Sequence, residues 1–187
     1  MLKCYEKRRQ RTLAKLAGEG SILDVGCARM PNRSLRGKRV VGFDLEDMEV
    51  RAPYTDHIVG DIFKIDGLLP GEKFDTVLMG EFIEHVERPY DVLRSARNYV
   101  APGGSLLIST PNPLGIPAVI AEYLCLRRFY YTEDHAFYFT PRWVWRLLEN
   151  SGYEVIKTVG CGASLGGVWA PAPVSLSYIV IYAARPA

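Results

Sequence analysis

Four acidic residues stand where short apolar runs of the sequence end, and their types and spacing suit the binding of a hydroxyl-bearing ligand. Asp24 lies within the end of the first run, Asp44 and Asp61 close the second and third, and Glu81 follows the fourth. A carboxylate in such a place can accept both hydroxyl hydrogens of a ribose. Gly26 follows Asp24 closely and removes a side chain where the backbone must approach a ligand. The pattern therefore predicts one binding site shared by these segments.

Two of the three histidines stand where a reacting group would lie. His85 comes shortly after the fourth apolar run, and His135 lies in a long irregular segment after the fifth. Because an imidazole titrates near neutral pH, either side chain can serve as a general base. His57 begins a strand, and we expect its role to be structural. His85 and His135 are therefore the predicted catalytic residues.

The segments that must position these residues alternate between apolar runs and helix-period stretches, which is typical of an α/β protein with a parallel sheet. The predicted strands are Ser21–Val25, Arg39–Asp44, 57–61, 74–79, 104–110, 153–159 and 175–183. The first five are apolar throughout, as expected when helices cover both faces of a sheet. The last strand has no helix before it, and we expect it to enter the sheet antiparallel. The sequence thus predicts a doubly wound, mainly parallel seven-stranded sheet with an antiparallel last strand.

The expected topology brings the acidic residues to one edge of the sheet. In an open α/β sheet, ligands bind beyond the carboxyl ends of the strands, where the strand order reverses. The segment 111–139 interrupts the alternation after the fifth strand, and we predict that it is a lid-like insertion over this edge. The apolar and aromatic stretch 116–131 within it would also suit peripheral contact with a membrane surface.

Size, charge and cysteine content narrow the classes of protein. The chain has 187 residues, and we expect one domain spanning 1–187. A net charge of +2 argues against nucleic acid as a partner. Four cysteines without a C-x-x-C pair argue against a structural zinc site and against a disulfide framework. With no apolar stretch suited to a signal peptide or a membrane span, we expect a cytoplasmic protein with free thiols.

The opening segment is basic and has the period of a helix. Its apolar residues Leu2, Tyr5, Leu13 and Leu16 form one stripe. The charged residues, Arg9 among them, are assigned to the opposite side of this helix. We therefore expect these charges to form a solvated face rather than a docking surface for an acidic substrate.

Several segments, taken in order, resemble the motifs of the class I S-adenosylmethionine-dependent methyltransferases. The matching segments are 22–27 (ILDVGC), 42–44 (GFD), 60–62 (GDI), 74–78 (FDTVL) and 102–104 (PGG). The resemblance extends to the ubiquinone-type and sugar O-methyltransferase branch. It implies a Rossmann-like fold and S-adenosylmethionine as cofactor. It also implies a small or medium acceptor, such as a sugar, a polyketide or a quinone-like ring, methylated at oxygen.

The same resemblance implies the roles of individual residues. Those placed around the cofactor are Asp24, Gly26, Cys27, Asp44, Leu45, Asp61, Ile62 and Glu81. Gly26 and its neighbours would hold the methionine part. Asp44 would bind the ribose, and Asp61 with Ile62 would contact the adenine.

The sequence departs from the family pattern after Cys27, where Ala28 and Met30 replace glycines. A non-catalytic cofactor-binding module is therefore one alternative. A nicotinamide dehydrogenase is disfavoured more strongly, because the chain has no G-x-G-x-x-G to bring its backbone up to a pyrophosphate.

A further alternative rests on a resemblance to small-RNA 2′-O-methyltransferases, in which two glutamates and two histidines bind a divalent metal. The matching residues would be Glu81, Glu84, His85 and His135. Oxygen and imidazole ligands of this kind suit Mg²⁺ or Mn²⁺. The same segments also occur in small-molecule methyltransferases, and we expect a general base here rather than a metal.

Overall fold

A seven-stranded sheet forms the centre of the computed structural model, which describes residues 2–124, 135–165 and 168–187. Its strands are β1 (Ser21–Val25), β2 (Arg39–Asp44), β3 (Asp56–Val59), β4 (Phe74–Gly80), β5 (Val100–Pro111), β6 (Tyr153–Gly160) and β9 (Ile179–Pro186). A separate hairpin contains β7 (Ala163–Leu165) and β8 (Val168–Ala170). The order across the sheet is β3-β2-β1-β4-β5-β9-β6.

The strand directions confirm the predicted fold class. Strands β1 to β5 pair in parallel, whereas β9 runs antiparallel to both of its neighbours, β5 and β6. The order reverses between β1 and β4, so the switch point lies beyond the carboxyl ends of these two strands. This is the edge at which the sequence places its acidic residues.

Helices cover both faces of the sheet. They are α1 (Leu2–Ala17), α2 (Ile65–Leu68), α3 (Pro89–Ala96), α4 (Ile116–Tyr123) and α5 (Pro141–Asn150). On one face α1 buries Leu13 and Ala17, and on the other α3 and α5 bury Leu93 and Leu148. Full burial of an aliphatic side chain stabilises the fold by about 1.5–3 kcal/mol relative to leaving it exposed. These layers therefore make the central strands a rigid support for the residues at their ends.

Several predicted strand bounds are wrong, among them the start of β5, which lies at Val100 and not at residue 104. β3 ends at Val59, because Asp61 caps a 3₁₀ helix, Ile62–Lys64, instead of continuing the strand. The last strand begins at Ile179, because the residues before it form a 3₁₀ helix, Val174–Leu176, that returns the chain to the sheet.

The predicted lid segment 111–139 is not a loop throughout. Pro111 still belongs to β5, and α4 packs Ala118 and Ala121 against Tyr138 and Tyr178. Residues 125–134 of this segment lie outside the described residues, so a lid remains a prediction. No helix in the described part of the chain has the length and apolar character that crossing a membrane requires.

Candidate active site

Asp24 lies in the interior at the end of β1. The Tyr54 hydroxyl donates a hydrogen bond of 2.5 Å to its Oδ2 atom and accepts one of 2.8 Å from the Asn32 amide. Burial raises the pKa of Asp24 to about 7, although the Tyr54 hydrogen bond and the Arg9 charge oppose this rise. Asp24 is therefore a buried carboxyl that holds the loops after β1 and β2 together, a role that the sequence does not indicate.

Asp44 lies at the end of β2 and is only half-buried. Its Oδ2 atom accepts a hydrogen bond of 2.8 Å from the Ala28 amide, and its Oδ1 atom accepts one of 3.1 Å from the Glu46 amide. These two bonds orient the carboxylate, and each oxygen keeps a second lone pair that a ligand hydroxyl can use. The adjacent Leu45 is 71% exposed and offers an apolar surface beside it.

Gly26 turns the chain directly after β1. Its φ of +76° favours glycine, and a Cβ at this position would overlap the Phe82 ring. Cys27 is buried, and its Sγ lies 4.0 Å from the Sδ of Met48, so its side chain packs in the core. Cys27 can therefore meet a ligand through its backbone alone. Met30 is 46% exposed, so its bulk is not packed inside the protein.

Asp61 caps the 3₁₀ helix Ile62–Lys64 through a 3.0 Å hydrogen bond from the Phe63 amide to its Oδ1 atom. Ile62 is nearly buried, whereas Phe63 is exposed. The Arg88 guanidinium lies 4.1 Å from the centre of the Phe63 ring. The segment after β3 thus combines a fixed carboxylate with apolar side chains.

Arg9 lies among the carboxyls of the candidate site, whereas the sequence interpretation assigns it to a solvated face. Only 3% of Arg9 is exposed, and its guanidinium lies 3.5 Å from the Ser109 hydroxyl oxygen. Burial raises the pKa values of the carboxyls of Asp24, Glu81 and Glu84, and the charge of Arg9 opposes this rise in all three. The sequence does hold an indication of this burial. Arg9 lies four residues before Leu13, and this spacing places both residues on the apolar stripe of the helix.

Two glutamates follow β4 and lie close to one another. Glu81 has a φ of +57°, and its amide donates a 2.9 Å hydrogen bond to the Ser109 carbonyl. Glu84 is 1% exposed. The Thr110 hydroxyl interacts with the Glu84 carboxylate without reaching hydrogen-bond geometry. Burial raises the pKa of both carboxyls, and repulsion from Glu81 raises that of Glu84 further.

The structure brings His85 and His135 together. Their ring centres are 4.6 Å apart, with the rings inclined at 77°. The Glu84 carbonyl accepts hydrogen bonds of 2.8 Å from the Ala136 amide and 3.1 Å from the Phe137 amide, which fasten the segment after His135 to the turn that includes His85. Glu84, His85 and His135 each bring one potential ligand atom within 4.8 Å of the other two.

This cluster can move a proton or hold a cation. His57, by contrast, lies on β3 with its Nδ1 atom 3.5 Å from Asp47, which fits the structural role expected for it. Glu81 is not among the three residues that bring ligand atoms together in the described part of the chain. It lies next to the cluster, and burial raises the pKa of its carboxyl although the Arg9 charge opposes this rise.

A family model described as a methyltransferase domain matches residues 3–158. The chain belongs to this methyltransferase family, and its fold is that of the S-adenosylmethionine-dependent methyltransferases. The predicted fold and the predicted enzyme class are confirmed.

Named relatives refine this assignment. A ubiquinone biosynthesis O-methyltransferase of Dinoroseobacter shibae is 35% identical over 94 residues, which are 48% of this chain and 38% of that protein. One from Dechloromonas aromatica is 29% identical over 78% of this chain and 68% of its own length. Among solved structures, the N-methyltransferase NodS from Bradyrhizobium japonicum in complex with S-adenosylhomocysteine matches with a TM-score of 0.68. It is 17% identical, with 97% of this chain and 87% of that chain covered. These relatives give no support to the RNA ribose alternative.

Proposed function

We propose that this protein is an S-adenosylmethionine-dependent O-methyltransferase whose acceptor is a small or medium molecule with a hydroxyl on a quinone-like ring. The observation that carries the proposal is the 4.6 Å distance between the ring centres of His85 and His135, beyond the carboxyl end of β4. The printed names of the ubiquinone biosynthesis relatives support a quinone-like acceptor over a sugar or a polyketide.

The residues at the strand ends fit the cofactor. The Asp44 carboxylate is held by two amides and suits the ribose hydroxyls, and Asp61 with Ile62 suits the adenine. The buried cation of Arg9 suits the carboxylate of the amino-acid part. When bound, S-adenosylmethionine supplies a methyl group that is already activated on its sulfonium. The protein must then provide orientation and proton transfer.

The histidine pair supplies the proton transfer. A ring nitrogen of His85 or His135 accepts the proton of the acceptor hydroxyl, which makes the oxygen a better nucleophile. The other imidazole and the Glu84 carboxyl lie within reach to stabilise the imidazolium that forms. A proton acceptor is needed because a phenolic hydroxyl is mostly protonated at neutral pH.

A divalent cation is the second interpretation of the same cluster. It is favoured by the buried carboxyl of Glu84, one oxygen of which lies within 4.8 Å of a ring nitrogen of His85 and of His135. Glu84, His85 and His135 would hold the cation, and a bound cation would lower the pKa of a coordinated hydroxyl. The two interpretations differ in their response to a chelator.

Part of the proposal concerns the surface around the site. Three large apolar residues of α4 and the residue that follows the helix are exposed: Val119, Ile120, Tyr123 and Leu124. These residues support peripheral contact of this helix with a membrane surface, from a position in the cytoplasm. Co-sedimentation with vesicles of phosphatidylglycerol and phosphatidylethanolamine tests this contact, and Tyr123→Glu should weaken it.

Methyl transfer from radiolabelled S-adenosylmethionine to catechol tests the proposed function. Catechol presents adjacent ring hydroxyls, and 1,2-phenylenediamine is a matched acceptor with nitrogen in their place. We expect labelled methoxyphenol from catechol and at least tenfold less product from the diamine. Equal rates for the two acceptors would contradict methylation at oxygen, and labelling of neither would contradict the acceptor class.

A further inference from the structure

We propose that a pocket between the starts of α3 and α5 binds an apolar substituent of the methyl acceptor, an inference that rests on the proposed function. The pocket has a volume of about 460 Å³. Its principal lining residues are Arg88, Tyr90, Phe137, Phe139, Trp143 and Leu147. A volume of this size falls in the range of small-molecule sites.

Two of the aromatic rings that line this pocket are exposed to solvent. Trp143 is 59% exposed and Phe137 is 39% exposed, and the rings of Phe137 and Phe139 stack with their centres 5.5 Å apart. Leu147 also lines the pocket and is buried. Exposed apolar surface with this concentration of aromatic rings marks a site that a ligand covers.

The charges at the rim indicate a neutral ligand group. Arg88 lies 3.8 Å from the Asp91 carboxylate, and its guanidinium stacks on the Phe63 ring at 4.1 Å. Glu87 adds a negative charge on the same rim. Since charges of both signs stand there and Arg88 already has partners, an alkyl chain or an aromatic ring fits the pocket better than an ionised group.

Chain connectivity places the pocket next to the reacting centre. Glu87 and Arg88 directly follow the turn that includes His85, and Phe137 follows His135 by two residues. The amide of Phe137 donates to the Glu84 carbonyl, which ties the pocket wall to the histidine pair. A ring with its hydroxyl at His85 and His135 can therefore extend an apolar substituent into the pocket.

Two tryptophans of α5 provide a variant and a matched control. Trp143 lines the pocket, whereas Trp145 is 47% exposed outside the lining and donates a 3.1 Å hydrogen bond to the Thr158 hydroxyl. We would measure steady-state kinetics for the wild type, Trp143→Ala and Trp145→Ala. Catechol serves as the acceptor without the apolar substituent, and 4-hexylcatechol as the acceptor with it. Circular dichroism and urea unfolding verify that both variants are folded.

We expect the wild type to prefer 4-hexylcatechol by about tenfold in kcat/KM, chiefly through a lower KM. Trp143→Ala should raise the KM for 4-hexylcatechol about fivefold and change that for catechol much less. Trp145→Ala should preserve the preference. An unchanged preference in Trp143→Ala, or an equal loss in both variants, would overturn the pocket assignment.

A binding measurement separates this proposal from the proposed function. Calorimetry with 4-hexylcatechol reports the pocket even if neither catechol is methylated. About fivefold weaker binding to Trp143→Ala than to the wild type and Trp145→Ala would then support the pocket alone. Equal dissociation constants for all three proteins would overturn it, whatever the turnover.

Discussion

The Tyr54 hydroxyl, in the loop after β2, donates a 2.5 Å hydrogen bond to the Asp24 carboxyl inside the protein at the end of β1. Burial raises the pKa of Asp24 from its usual value near 3.8 to about 7. The folded protein thus binds a proton that the unfolded chain has already lost at intermediate pH. The contribution of Asp24 to stability is therefore full below about pH 4 and is lost as the pH rises to 7.

Asp24→Asn should flatten the pH dependence of stability, because the asparagine oxygen can still accept the Tyr54 hydrogen bond but does not titrate. In the wild type, Asp24 alone should lower the free energy of unfolding by about 2–3 kcal/mol between pH 5 and pH 8. Urea denaturation at pH 5, 6, 7 and 8 measures this slope. Identical slopes in wild type and variant would show that Asp24 does not titrate in this range.

Asp44→Ala should weaken S-adenosylmethionine binding by about 2–4 kcal/mol, because the cofactor ribose would lose two hydrogen bonds to a carboxylate. The fold should survive, since the side chain lies at a half-buried strand end. Calorimetry with S-adenosylhomocysteine measures the loss. Asp47→Ala is the control, because the Asp47 side chain is 86% exposed in the following loop. Equal affinity of Asp44→Ala and wild type would remove Asp44 from the ribose site.

Arg9→Met should lower the affinity for S-adenosylhomocysteine at least tenfold, because a buried cation no longer faces the carboxylate of the amino-acid part. It should also destabilise the protein, since Glu81 and Glu84 lose a compensating charge. Arg11→Met changes an exposed arginine on the same helix and should do neither. Arg9→Lys should restore part of the affinity, and a loss of stability without a change in affinity would make Arg9 purely structural.

His85→Ala and His135→Ala should each lower kcat by about 10²–10⁴-fold while leaving cofactor affinity nearly unchanged. With the histidines acting as bases, turnover should persist in EDTA. If EDTA abolishes turnover and Mg²⁺ or Mn²⁺ restores it, the cation interpretation replaces the base, and Glu84→Gln should then be inactive as well. Full turnover of both histidine variants would exclude the base and the cation, and catalysis would then depend on proximity and orientation alone.

Local pattern was enough to predict much of this fold. The bounds of β1 and β2 agree with prediction residue for residue, since a short apolar run bounded by polar residues is recognisable from its own composition. The antiparallel direction of β9 follows from the missing helix before it. The family motifs are also short local patterns, and the enzyme class could therefore be predicted from the sequence.

Other features needed contacts between residues that are distant in the chain. The position of β9 between β5 and β6, and the hairpin of β7 and β8, are set by strand pairing that no local period encodes. The helical spacing of Arg9 from Leu13 is visible in the sequence, but only the packing of α1 against the ends of β4 and β5 shows which groups its buried guanidinium faces.

Some features of the candidate site could likewise be predicted from the sequence, and others depend on the tertiary structure. The sequence predicts the strand-end positions of Asp24, Asp44 and Glu81, because the end of a strand is determined by neighbouring residues. The 4.6 Å approach of His85 to His135 belongs to the tertiary structure, because it depends on the Glu84 carbonyl holding a segment that is far away along the chain. Such an approach depends on the summed free energy of the whole packed core, to which every buried layer contributes and which no short stretch of sequence contains.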